Sequence, residues 1–374
     1  MNRMSHGLLL LSILVATRIG AQTPPTVEPF KLGTFVSGVS GASGGRTFIG
    51  IVLKDTTVVD VAAANAALEA RNASWPKMTM PQDMTELIAR YGTSSSGGLK
   101  ERIYAIAREG GSPAPYVRDL KAVTVRPPVM PRIILNAAVN YTEHASEMAA
   151  RGGAAPAAPA APPKSIEGLW ERKSGDTRHN PYLFFKSPSA VIAHGEAIRV
   201  PPGRSQVDWE CEMTVIIGRT ASHVPIDKAV EYVFGYTLEN DVSDRAARGD
   251  GRHGSDWLIG KSHDTFAPLG PFIVPREFIP DPQKLSIRFS LNGQLMQDST
   301  TARMTHGVVD LIHFASNIVT LQPGDAIATG STAGVGSART PPIFMKAGDR
   351  AVCTVEGIGT LENPVVGPVA PSQP

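Results

Sequence analysis

The apolar positions of this chain fall into many short runs punctuated by Gly and Pro, with few long helical patterns. Phe48-Ile49-Gly50-Ile51-Val52-Leu53 and Thr56-Thr57-Val58-Val59-Asp60-Val61 are β-rich runs separated by the turn-like Lys54-Asp55. Two helical stretches follow, Gln82 to Tyr91, opened by Pro81, and Leu99 to Arg108, closed by Gly110-Gly111. Thr124-Val125-Arg126-Pro127-Pro128 reads as a linker. From Pro181 to Val366 the short β runs dominate, and only Ile226 to Val233 and Val308 to Val319 read as helices. The pattern predicts a β-rich α+β fold built on a mixed sheet or roll, not a doubly wound sheet. It divides into a small N-terminal α+β region over 28–125 and a larger domain over 126–367.

Two stretches stand outside that pattern. Residues 149–164 are Ala, Gly and Pro with almost nothing else, a composition that buries little surface and predicts a flexible insertion within the larger domain. At the N-terminus a weakly positive start at Asn2, Arg3 and His6 precedes the apolar run Gly7 to Ala16. Gly20 and Ala21 then precede Thr23-Pro24-Pro25. These are the parts of a secretory signal peptide over 1–21, with cleavage after Ala21 and a periplasmic or secreted mature chain. The apolar run is shorter than the about 20 residues a span requires, so no membrane span is expected in the mature form.

The 374 residues are 42% hydrophobic and 19% charged, ample for a globular core. With 36 Lys+Arg against 34 Asp+Glu, the formal charge of +2 argues against a strongly basic nucleic-acid binder. The 6% aromatic content argues against a stacking surface for single strands. Two cysteines, Cys211 and Cys353, are permitted a bridge in an oxidising compartment, but the sequence favours two buried thiols. The Gly-rich segments 38–45 and 330–336 lack the context of a phosphate-binding loop, and no Gly-x-Ser-x-Gly elbow is present.

The chemistry concentrates in Asp208-Trp209-Glu210-Cys211-Glu212-Met213-Thr214-Val215-Ile216-Ile217-Gly218. As a strand it projects Glu210 and Glu212 from one face, with Cys211, Met213, Val215 and Ile217 on the other. Adjacent carboxylates leading into an apolar run are costly unless neutralised, and a hard divalent cation neutralises them with oxygen ligands. Asp241, at the exit of the apolar run Tyr232 to Leu238, is a third acidic candidate. Upstream, a helix over Asn140-Tyr141-Thr142-Glu143-His144-Ala145-Ser146-Glu147 would place His144 and Glu147 on one side, as a general base and its orienting carboxylate require. Lys261, held near the turn Pro268-Leu269-Gly270-Pro271, is placed to meet a substrate carboxylate. Taken singly, each piece also fits an ordinary surface: an exposed Glu pair, an Asn-Asp turn, a His-Glu pair, a solvated lysine.

Their order resembles the fumarylacetoacetate hydrolase family. The motifs are Asn-Tyr-x-x-His-x-x-Glu, Phe-Lys-x-Pro at 185–188, Asp-x-Glu-x-Glu, Asn-Asp-x-Ser-x-Arg and Gly-Lys-x-x-Asp-x-x-x-Pro-x-Gly-Pro. Thr-Gly-Ser-Thr-Ala-Gly-Val-Gly at 329–336 and Gly-Asp with Glu-Gly-Ile-Gly-Thr-Leu-x-Asn-Pro over 348–364 complete the series. The resemblance is strongest over 131–366. It implies a mixed β-roll, a homodimer, and Mg²⁺ or Mn²⁺ (with Ca²⁺ also an oxygen-ligand ion) bound by Glu210, Glu212 and Asp241. It implies a water-activating dyad of His144 and Glu147 on a lid, and polarisation of a small 2-oxo acid substrate by Lys261. Where many relatives carry Gly-Thr-Pro, this chain has Gly330-Ser331-Thr332, and Ser331 keeps a hydroxyl for substrate. Where hydrolytic relatives can place a glutamine, this chain has Arg248, suited to an oxyanion or a more acidic substrate. The expected reaction is hydrolysis of a C–C bond in an acylpyruvate-like 2-oxo acid. The alternatives are decarboxylation or tautomerisation through the same enolate, and an exported binding protein without turnover.

Overall fold

The computed structural model describes residues 27–37, 45–73, 75–92, 98–110, 113–151, 164–246 and 256–368. The signal segment 1–21, most of the first Gly-rich segment, most of the Ala/Pro insertion and Arg248 lie outside the described residues.

A twelve-stranded mixed sheet forms the centre of the molecule. Its middle is the antiparallel pair Cys211–Ile217 and Val233–Asn240, flanked by Ala267–Pro275 on one side and Ala326–Ala328 on the other. All residues of the first two strands are buried, which is why they read as near-continuous apolar runs rather than alternating ones. Ile134–Ala137 runs parallel to 326–328 and is followed at the edge by Leu183–Lys186. On the far side, Lys31–Ser37 meets Ala267–Pro275, so the N-terminal strands extend the same sheet. A five-stranded sheet that includes Ser286–Leu291, Gln294–Thr300 and Arg350–Val355 packs behind the central strands. The architecture is the β-rich α+β arrangement that the sequence pattern predicts.

The hairpin over 47–60 forms as expected, with Lys54 and Asp55 in left-handed backbone (φ 51° and 55°) at the turn. The second helix begins at Met84, where the Asp83 side chain accepts the Glu86 N–H, and the third spans Leu99–Glu109. Val308–Ser316 is helical as expected.

Four expectations are corrected. Helix Val61–Arg71 was masked by the β-branched run it follows; Asp60 caps it by accepting the Ala63 N–H. Residues 226–233 hold only a 3-10 turn at Ala229–Tyr232, because Val233 already begins the buried strand. Residues 124–126 are not linker but part of strand Val123–Arg126, paired with Lys31–Ser37. Finally, Cys211 and Cys353 form a disulfide, not two buried thiols. Packing of the two sheets brings their Cα atoms to 5.4 Å across 142 residues of sequence, a proximity that local sequence cannot show.

Candidate active site

The acidic centre grows from strand register. Glu210 immediately precedes strand Cys211–Ile217 and Glu212 lies within it, two residues apart and therefore on one face. Asp241 follows the partner strand; its N–H donates to the Glu210 carbonyl at 2.8 Å, and the Asn240 side chain accepts the Glu210 N–H at 3.0 Å. Carboxylate oxygens of Glu210, Glu212 and Asp241 thus lie within 4.8 Å of one another, and all three residues are buried.

Three buried cations surround them. Lys261 Nζ donates to Glu210 Oε2 at 2.7 Å and to Asp241 Oδ2 at 2.5 Å. Lys186 Nζ donates to Asp241 Oδ1 and to the Val242 carbonyl. Arg245 donates to Glu210 Oε1 at 2.6 Å and to Asp208 Oδ2 at 2.8 Å. Glu212 receives only the Gly330 N–H, at 2.7 Å, among the described residues. Glu239 sits opposite Glu212 across the two strands, with one oxygen accepting from Asn136 Nδ2 and the other without a partner among the described residues.

This imbalance shows in the protonation equilibria. Burial acts to raise the Glu210 carboxyl, but Lys261, Arg245 and His144 outweigh it and hold it well below the usual range. Burial, reinforced by Asp241, Glu210 and Glu239, drives Glu212 well above that range. Burial likewise pushes Glu239 up to about 7. For Lys261, burial disfavours the charge, yet Asp241 and Glu210 prevail and keep it an ammonium. Among the described residues, Asp208, Glu210, Glu212, Glu239 and Asp241 thus share three basic side chains, Lys186, Arg245 and Lys261. A buried oxygen-donor cluster in which carboxyl groups outnumber basic side chains fits a hard divalent cation, which would pull Glu212 back to its ionised form.

The dyad comes from helix Thr142–Arg151. One turn apart, His144 Nδ1 and Glu147 Oε2 lie 3.0 Å apart, with His144 buried. Asn140 pins the helix start by donating to the His306 and Thr329 carbonyls and accepting the His306 N–H, all at 2.9 Å. Glu143 accepts from Ser299 and Arg303. The other oxygen of Glu147 accepts the Gly334 N–H at 2.9 Å. Gly334 has φ +101°, and a Cβ there would lie 2.2 Å from the Met296 carbonyl, so only glycine lets the loop reach this position. The loop over 330–334 thus supplies one N–H to Glu212 and one to Glu147. The influence of His144 on Glu210 puts the imidazole within electrostatic reach of the acidic centre. With Nδ1 engaged by Glu147, Nε2 is the ring atom available for proton exchange.

The structure thus brings together Glu210, Glu212, Asp241, Lys261, His144 and Glu147. Lys261 is not in a turn; it ends the short helix Trp257–Lys261, and its ammonium bridges two carboxylates. Ser331 is buried with its hydroxyl accepting from Gln297 Nε2 at 2.9 Å and directed at the Thr332 carbonyl, so the hydrogen bond expected to go to substrate is used internally. The structure adds Lys186, Asp208 and Arg245 to the site, each of which stands in a motif that carries the family resemblance, whereas Gln297 and Glu239 carry no local signal.

Residues 133–366 match the family described as fumarylacetoacetate (FAA) hydrolase, C-terminal. The mitochondrial oxaloacetate tautomerase Fahd2a of Rattus norvegicus is 42% identical over 187 residues, 50% of this chain and 59% of that protein. The matched segment therefore spans less than two thirds of that relative. Oxaloacetate tautomerase YisK of Bacillus subtilis is 29% identical over 323 residues, 86% of this chain and 96% of that protein. Among solved structures, maleylpyruvate hydrolase from Sphingobium sp. SYK-6 is similar with a TM-score of 0.62 and 26% identity, covering 90% of this chain and 99% of that one. The chain belongs to the fumarylacetoacetate hydrolase family of enzymes.

Proposed function

We propose that this chain is a divalent-metal-dependent enzyme that moves a proton between carbon and oxygen of a small 2-oxo acid, interconverting keto and enol forms. The observation that carries the reading is the oriented His144–Glu147 pair, tied through the loop over 330–334 to the buried carboxylate triad. The names of the tautomerase relatives lend it support. Glu210, Glu212 and Asp241 would hold Mg²⁺ or Mn²⁺, which supplies Lewis-acid stabilisation of negative charge at the 2-oxo group. His144 Nε2 takes the proton from the enol hydroxyl or from C3, and Glu147 stabilises the resulting imidazolium through Nδ1. The same imidazolium returns the proton to the other atom. Lys261 and Lys186 hold the carboxylates of Asp241 and Glu210 in place.

Hydrolysis of a C–C bond in an acylpyruvate-like 2-oxo acid is the second reading. An imidazole oriented by a carboxylate also deprotonates water, and the likeness to maleylpyruvate hydrolase favours it. The test supplies oxaloacetate and acylpyruvates with Mg²⁺ or Mn²⁺. The enol signal of oxaloacetate is followed optically, and products are read by mass. Accelerated enol–ketone interconversion without cleavage supports the first reading. Pyruvate and a free acid from an acylpyruvate, with no effect on the enol, supports the second. We also propose export of the chain by its first 21 residues, to the periplasm or outside, and assembly as a homodimer; fractionation and light scattering test these.

A further inference from the structure

The face of strand 211–217 that points away from the acidic centre rests on three side chains lying in a row across the second sheet. Phe289 pairs in register with Gln297 on one side and with Cys353 on the other, so all three project from the same face. Each grips the ligand-bearing segment differently. Cys353 is bonded to Cys211 through sulfur. Phe289 stacks under Trp209 with ring centroids 5.2 Å apart and planes 9° apart. Gln297 Oε1 accepts the Cys211 N–H at 3.2 Å. Residues 209 and 211 are thereby fixed from behind, while Glu210 and Glu212 face forward.

Gln297 does more than its neighbours. Its buried amide nitrogen donates to Ser331 Oγ at 2.9 Å, to the Thr332 carbonyl at 2.8 Å and approaches Thr332 Oγ1 at 3.1 Å. Those residues form the loop whose Gly330 N–H meets Glu212 and whose Gly334 N–H meets Glu147. One carboxamide therefore joins the backbone between two triad carboxylates to the loop that orients both a triad carboxylate and the dyad. We infer that Gln297 is a positioning residue for metal binding and proton transfer together, an inference that rests on the metal-site reading above. Groups that orient metal ligands at one remove alter metal affinity or activity about 10–100-fold when replaced.

The experiment compares Mn²⁺ dissociation constants of the metal-free wild type, Gln297→Met, Gln297→Glu and Ser331→Ala, together with unfolding temperature, kcat and KM. Gln297→Met removes every polar contact, whereas Gln297→Glu keeps the acceptor for Cys211 and loses the donors to the loop. Asp298→Asn, an exposed neighbour on the other face, is the control. Mn²⁺ affinity should fall about tenfold or more in both Gln297 variants and about threefold in Ser331→Ala. kcat at saturating Mn²⁺ should fall with little change in KM, and the control should match wild type. Should Gln297→Met fail to fold, Gln297→Glu and Ser331→Ala carry the same comparison. Lowered unfolding temperature with unchanged Mn²⁺ affinity and kcat in the folded variants would overturn the inference. Absence of saturable Mn²⁺ binding by the wild type would instead overturn the metal-site reading.

Discussion

Replacing His144 by Ala separates proton transfer from metal binding. The imidazole is buried, its Nδ1 meets Glu147, and it is not part of the carboxylate triad. Losing a general base costs about 10²–10⁴-fold in rate, equivalent to about 3–5 kcal/mol of transition-state stabilisation. The folding cost is much smaller. Glu147 keeps the Gly334 N–H and its side chain is 19% exposed, so the freed oxygen reaches water and the lost hydrogen bond costs about 1 kcal/mol. Mn²⁺ affinity should therefore stay within about threefold of wild type while kcat falls at least 100-fold. Glu147→Gln should lower kcat by about tenfold or more, because an amide oxygen that accepts the Gly334 N–H leaves an NH₂ group facing His144 Nδ1, so both the charge and the acceptor that orient the imidazole are lost. Steady-state rates at saturating Mn²⁺ and calorimetric Mn²⁺ titrations of both variants provide the numbers. A His144→Ala enzyme with kcat within threefold of wild type would refute the base assignment, and one that no longer binds Mn²⁺ would make His144 a ligand.

Lys261→Met leaves Glu210 and Asp241 facing each other with one fewer cation, so the metal-free protein should lose about 3–5 kcal/mol and regain much of it with Mn²⁺; unchanged unfolding temperatures would contradict the bridge. Converting Cys211 and Cys353 to Ser opens a loop closed over 142 residues, with an expected loss of about 5 kcal/mol on the chain-entropy scale, measured by denaturant unfolding. Burial pushes His306 down to about 4 from an ordinary value of 6.5. The unfolded chain therefore takes up that proton first, and stability present above pH 6.5 is lost as pH falls towards 4, by up to about 3 kcal/mol. His306→Gln should flatten that part of the stability profile; an identical profile would show the acid sensitivity arises elsewhere.

The clustering of the candidate site residues was more legible in the sequence than the packing behind them. Glu210 and Glu212 were legible because a period of two is the direct signature of a strand, and His144 with Glu147 because three residues make nearly one helical turn. Asp241 was legible as a polar residue ending an apolar run. The bridge between Cys211 and Cys353 was not legible, because it depends on how two sheets stack, and Gln297 was invisible for the same reason. Helix Val61–Arg71 was hidden by the strand residues leading into it, whose β-branched pattern outweighed an Ala-rich run that buries only one narrow face. Lys186 and Arg245 occupied recognised motifs, but only the structure shows that they end on Asp241 and Glu210.

The central claim is that Glu210, Glu212 and Asp241 form one divalent-cation site. Titrating metal-free protein with Mn²⁺, with free ion followed by electron paramagnetic resonance, tests it most directly when wild type is set beside Glu210→Gln, Glu212→Gln and Asp241→Asn. Glu212→Gln is the sharpest of the three, since Glu212 has no cationic partner among the described residues and its loss breaks no ion pair. The account predicts one Mn²⁺ per chain in the wild type, displaced by Mg²⁺, and binding weakened at least about 100-fold in each variant while the fold is retained. Wild-type affinity in the folded Glu212→Gln protein, or no saturable Mn²⁺ binding by the wild type, would contradict it.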